Sequence, residues 1–111
     1  MNARVEIDAG VCGFRTQAAV YSEDDQNVTY NISSDCENIL GLSRAIANIG
    51  SFDAYEEISP VGESRLLACC RETLKGCCSG CAVPVGLFKA MQVAARLALP
   101  KDVRITLSKD N

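Results

Sequence analysis

Apolar and polar positions along this chain change period twice, and each period predicts a type of element. Val5 and Ile7 alternate with Arg4, Glu6 and Asp8, the period of two of a strand with one buried face. Gly10 and Gly13 flank Cys12 and predict a turn or bulge, and a second strand is expected from Phe14 to Tyr21. The polar string from Ser22 to Asn27 reads as a hairpin loop. Beyond it, Val28, Tyr30 and Ile32 mark one face of a third strand. The period then lengthens. Ile39, Leu42, Ile46 and Ile49 define one face of an amphipathic helix, with Ser34 and Glu37 at capping-box spacing and Gly50 placed to end it.

After an acidic stretch from Ser51 to Gly62 that reads as irregular, a shorter helix is expected from Ser64 to Lys75. Leu67, Cys70 and Leu74 would share its face, and Gly76 would close it. Pro84 suits the first turn of a third helix. Val85, Leu87, Phe88, Met91, Val93, Ala94, Ala95 and Leu97 cover most of its circumference, leaving Lys89, Gln92 and Arg96 as a narrow polar stripe. Such a helix is expected to be buried on nearly every side, against the sheet and against a partner chain, which predicts a homo-oligomer. Val103, Ile105 and Leu107 alternate with polar residues as a last strand. The sum is an α+β fold of order β-β-β-α-α-α-β: an antiparallel meander sheet of about four strands with about three helices on one face.

Length and charge narrow the function. The chain has 111 residues, 48% of them apolar, and a net charge of −3. That suits a single domain over 1–111 with one core. No run of Lys and Arg interleaves with aromatics, so neither nucleic acid nor a membrane surface is an expected partner. Charges in the first eight residues do not make a signal peptide, and Lys89, Gln92 and Arg96 interrupt the longest apolar stretch. A reducing cytoplasm is the expected setting. The seven cysteines there read as metal ligands, reactive thiols or small core residues before disulfides.

The only metal-type spacing is Cys78-Ser79-Gly80-Cys81, where a tight turn brings two sulfurs to one ion. With no His and no second such pair, a four-thiolate site has to recruit further sulfurs. Neighbouring side chains on a helix diverge by about 100°, so Cys77 and Cys78 would not both serve one small site, nor Cys69 and Cys70. A four-thiolate set would take Cys81, one of Cys77 and Cys78, one of Cys69 and Cys70, and a fourth from Cys12 or Cys36; the candidate ligands are Cys12, Cys36, Cys77, Cys78 and Cys81. Cys70, beside Leu67 and Leu74, reads as core, and Cys69 follows it. Cys36 is expected in the first turn of its helix, where unpaired amides favour a thiolate. Whether Cys12, Cys36 and the 77–81 loop converge decides whether there is a site. Asp24, Asp25, Glu56 and Glu57 read as solvated loop charges. Absence of His excludes Ser–His and Cys–His nucleophiles, and no catalytic constellation can be completed.

Asp8-x-Gly10-x-Cys12-Gly13-Phe14, Ser34-Asp35-Cys36-Glu37, Cys77-Cys78-x-x-Cys81-x-Val83-Pro84, and Lys89-Ala90 with Ala98-Leu99-Pro100 carry a resemblance over almost the whole chain. The sequence resembles a family of small, uncharacterised, cysteine-containing proteins chiefly of anaerobic bacteria and archaea. The resemblance implies a stand-alone domain in oxygen-poor cytoplasm and brings no activity with it. A glycine-flanked Cys and a late Cys-x-x-Cys are more weakly similar to iron–sulfur carrier and scaffold proteins, whose cysteine order is not reproduced. The leading expectation is a cysteine-ligated metal or iron–sulfur protein, with zinc as the other metal, acting as carrier, scaffold or electron-transfer accessory. The alternatives are a thiol-redox protein using Cys78 and Cys81, and a non-catalytic interaction module with its cysteines in the core.

Overall fold

In the computed structural model, which describes residues 1–110, three long strands form an antiparallel meander. These are β1 (Asn2–Asp8), β2 (Arg15–Tyr21) and β3 (Asn27–Ser34). Alternation does the sorting: Ile7 on β1, Thr16, Ala18 and Val20 on β2, and Val28 on β3 are buried, while Arg4, Glu6, Gln17, Thr29 and Asn31 face out. Asp24 organises the β2–β3 loop. Its carboxylate accepts the backbone N–H groups of Gln26 (3.0 Å) and Asn27 (2.8 Å) and the Asn27 side-chain amide (2.9 Å). These bonds, the Asn27 amide foremost, hold its pKa down at about 2. Asp24 is therefore the exposed loop charge that was expected, and it is also the acceptor that closes the loop.

Helix α1 (Glu37–Ile49) packs on β3 through Ile39, Leu42 and Ile46, the face its periodicity predicts. Each such side chain, fully buried, contributes roughly 1.5–3 kcal/mol. Its start differs from expectation. Strand β3 runs through Ser34, so Cys36 is the N-cap, and the Ser34 hydroxyl accepts the Cys36 N–H (3.1 Å) instead of closing a box with Glu37.

The stretch read as irregular holds two short elements. β4 (Phe52–Asp53) pairs with Asn27 and Val28, and α2 (Ala54–Ile58) follows at once. Asp53 caps α2 by accepting from the amides of Tyr55 (3.0 Å) and Glu56 (3.3 Å). Glu57 is 4% exposed, so, unlike Asp24, it is not the solvated charge that was expected. It accepts the Ser64 hydroxyl and the amides of Arg65 and Leu66 at the start of α3 (Arg65–Thr73). The buried face of α3 is Leu66, Cys69 and Cys70, with Leu67 only half-buried. Gly76 opens the following 3-10 turn (Gly76–Gly80) and does not close α3, whose C-cap is Leu74.

Helix α4 (Val83–Ala94) lies over β1 and β2, and α3 bridges α1 and α4. Val83, Leu87, Ala90, Met91 and Ala94 are buried, so the apolar circumference of α4 is largely covered within the chain. Residues 76–94 are apolar enough on average to cross a membrane, but extended backbone at Cys81 divides them, and twelve helical residues span about 18 Å of a ~30 Å hydrocarbon core. The fourth strand of the sheet is β4, not the segment around Val103 to Leu107. That segment has no regular structure and is exposed throughout. The α+β class, the meander and the helices on one face are as expected, and the order is β-β-β-α-β-α-α-α around one hydrophobic cluster.

Gly86 sets how closely α4 approaches the sheet. A Cβ there would lie 2.5 Å from Ile7 Cδ1 and 2.8 Å from Ile7 Cγ1. Gly86→Ala is therefore expected to destabilise by about 1–3 kcal/mol, although Ala is the better helix former by about 1 kcal/mol. Ile7→Val, which removes Cδ1, is expected to recover part of that loss in the double variant. Urea denaturation of the four-member cycle measures it, and additive losses would refute the contact.

Candidate functional site

Pairing of the strands puts three irregular segments at one end of the sheet. Asp8 ends β1 opposite Arg15, which begins β2, and Thr16 lies opposite Ser34 at the end of β3. The Thr16 and Ser34 hydroxyls bond at 2.8 Å, and the Asp35 N–H donates to the Arg15 carbonyl (3.3 Å). The β1–β2 loop and the β3–α1 junction are thereby tied together. Within the loop, Gly10 and Gly13 have φ of 86° and 75°, the left-handed region that glycine enters at no steric cost. The Gly13 N–H donates to the Gly10 carbonyl (2.9 Å), and the tight turn leaves Cys12 exposed at its tip.

The third segment arrives with α4. Its first turns rest on Ile7 through Gly86, and the Tyr30 hydroxyl donates to the Leu87 carbonyl (3.0 Å). The 3-10 turn just before it, carrying Cys77, Cys78 and Cys81 at its end, therefore sits at the same sheet end as Cys12 and Cys36. A direct bond confirms the approach: Asn38 Nδ2, in the first turn of α1, donates to Cys78 Sγ at 3.2 Å. Cys36, Cys78 and Cys81 are half-buried and pack against the common core.

Cys81 is the centre of the group electrostatically. Burial is the main reason its thiol is pushed above the ordinary value; the Val83 backbone N–H pulls the other way, and the sulfurs of Cys78, Cys12 and Cys36 push it further up. Behind it, Cys70 is pushed up to about 12, first by burial and then by the sulfurs of Cys69 and Cys81, with Arg71 opposing. Cys69 is raised by burial and by Glu72. Both are buried within the core cluster. Cys77 is exposed, and its sulfur is not among those acting on Cys81. Four of the five nominated thiols, from three separate segments, thus share one neighbourhood. Among the described residues no three Cys, Asp or Glu side chains stand as a ready metal site.

Burial of neutral Cys70 and Tyr30 has a consequence in alkali. Burial raises the folded-state pKa of both above the ordinary values of a thiol and a phenol. A raised folded value means stability is fully present below the unfolded pKa and is lost as pH climbs toward the folded one. Stability is expected to be flat up to about pH 9 and to fall above it. Urea midpoints measured from pH 7 to 11 check this, and Cys70→Ala is expected to flatten the early part of the fall. A curve equally steep with and without Cys70 would contradict it.

Asn38 was not visible as a site residue in the sequence, because only its place in the first turn of α1 brings it to Cys78. The shallow depressions on the open sheet face are lined by Asn2, Arg4, Ala19 and Tyr21, and by Arg4, Gln17, Asn31 and Ser33. They lie away from every cysteine. No curated protein and no solved structure matches the chain. Residues 3–107 match a family described as a family of unknown function, DUF6951. With nearly its whole length matched, and with the cysteine-bearing segments at one end of its sheet inside the match, the chain belongs to the DUF6951 family.

Proposed function

We infer that the protein is a cysteine-ligated metal or iron–sulfur binding accessory, a carrier, scaffold or electron-transfer partner, whose ligands are Cys12, Cys36, Cys78 and Cys81. The observation that carries this reading is the placement of three cysteine-bearing segments at one end of the sheet, where Asn38 of α1 bonds Cys78 Sγ at 3.2 Å. Crowded thiolates repel one another, and a bound cation turns that repulsion into attraction. An all-sulfur set without His suits zinc or an iron–sulfur cluster.

Two further features support it. Cys36 is the N-cap of α1 and Cys81 lies two residues before the start of α4, so both stand beside helix N-termini. Asn38 supplies a hydrogen bond to Cys78, the kind of outer-shell donor that orients a ligand and tunes a cluster. A reducing, oxygen-poor cytoplasm is the setting this chemistry needs. The thiol-redox reading has less support, because a redox nucleophile needs a lowered pKa and Cys81 is pushed the other way.

The test is purification under anaerobic conditions with metal analysis and a visible spectrum. A charge-transfer band with bound iron, or stoichiometric zinc, is expected. Protein that is colourless and metal-free, and that also fails reconstitution with iron and sulfide or with zinc, would overturn the reading.

A further inference from the structure

The segment after α4 carries a strand pattern that its own body does not use. From Leu99 to Asp110 every residue is exposed, including Leu99, Val103, Ile105 and Leu107 at 88%, 53%, 66% and 90%. Isolated exposed apolar residues need no explanation, but a run alternating with Arg104, Thr106 and Ser108 is a strand with one apolar face and no sheet. The molecule is correspondingly drawn out, 49 Å long against 28 Å across.

The sheet has an edge to match. Sheet order is β1-β2-β3-β4, so β1 is open on its outer side. Met1 and Ser22 exchange both backbone bonds (2.7 and 3.2 Å). The antiparallel alternation then points the N–H and C=O groups of Arg4, Glu6 and Asp8 away from β2, unpaired. An unpaired edge of this length is a template for another strand. The inward side chains beside it, Ala3 and Val5, are only half-buried, so the core is unfinished there.

Side chains specify the register. A strand parallel to β1 with Ile105 beside Ile7 places Val103 beside Val5, Asp102 beside Arg4 and Arg104 beside Glu6. Apolar residues then extend the core face, and both charged pairs on the open face are of opposite sign. Sliding by one residue turns the apolar set outward, and antiparallel pairing that keeps Arg104 at Glu6 sets Asp102 against Asp8. The arm starts where Arg96 Nε meets Asp25 (3.2 Å) and stands off its own body, so it is free to reach another molecule.

We propose that residues 101–108 of one copy add to β1 of a second copy, and the reverse, giving a two-fold strand-exchanged dimer. Sedimentation equilibrium of the full chain under reductant tests it. A dimer is expected, with Ile105→Asp monomeric at concentrations where the wild type is dimeric. Arg104→Glu and Glu6→Arg are each expected to weaken the dimer about tenfold, and the two together to restore it to within a few-fold. Circular dichroism equal to wild type establishes that the variants are folded. A full chain monomeric into the millimolar range, as when the arm docks on its own β1, would overturn the proposal. So would a dimer indifferent to Ile105→Asp, or charge reversals that do not compensate.

Discussion

Cys81→Ser is expected to abolish metal or cluster loading, while Cys77→Ser leaves it within a few-fold of wild type. The sulfurs of Cys78, Cys12 and Cys36 all act on Cys81, so its loss removes a central ligand of the proposed set. A serine hydroxyl is a hard, weakly acidic donor and does not replace a thiolate for a soft metal. Cys77 is one residue from Cys78 but exposed, and its sulfur has no part in raising Cys81. Cys12→Ser, Cys36→Ser and Cys78→Ser are expected to weaken loading as Cys81→Ser does. Asn38→Ala keeps all four sulfurs and removes only the hydrogen bond to Cys78; it is expected to lower affinity by about 10-fold and to shift the visible band. Metal content per chain after anaerobic reconstitution is the readout, with the melting temperature of the metal-free proteins as control. Equal loading of the Cys77 and Cys81 variants, with both folded, would remove this ligand assignment.

How much of this was legible before the fold depends on length and on contacts across the chain. Strands β1 to β3 and the face of α1 were readable because seven to thirteen residues repeat a period often enough to identify it. β4 and α2, of two and five residues, are too short to show one. The signal that was present, Asp53 before Glu56 and Glu57, is a cap followed by acidic residues in a first turn. On α3 the expected Cys70 and Leu74 are buried, but Leu66 and not Leu67 completes the face, and the Glu57 bonds at the helix start fix Leu66 where it is. The segment around Ile105 has a strand's alternation, but alternation specifies a strand only when an edge is there to pair with it. For the site, the sequence nominated the thiols and could not group them. The grouping depends on the Thr16–Ser34 and Gly86–Ile7 contacts, which join residues far apart in the chain.

Glu57→Ala is expected to destabilise the protein by about 3 kcal/mol, lowering its melting temperature by roughly 10–15 °C. The carboxylate is buried, and it accepts three bonds at the start of α3: the Ser64 hydroxyl at 2.8 Å, the Leu66 amide at 2.7 Å and the Arg65 amide at 3.1 Å. Ser64 in turn caps the Leu67 amide at 3.1 Å. Two of the four amides that any helix start leaves unpaired are therefore met by a residue from another helix. Removing the side chain loses those bonds and leaves the buried Leu66 amide without a partner, which costs more than a hydrogen bond adds when made. Glu57→Gln separates charge from shape. Its one amide oxygen can serve Ser64 and Leu66, while its NH2 group meets the Arg65 N–H donor to donor, so a loss of about half is expected. Glu56→Ala, at the exposed neighbour, is expected to stay within about 0.5 kcal/mol of wild type. Urea denaturation at pH 7 on all three decides it: equal stability of the Glu56 and Glu57 variants would mean that α3 starts without this acceptor. Because α3 carries Cys70 against Cys81, the Glu57→Ala protein is also expected to bind metal less tightly, whereas Glu56→Ala is not.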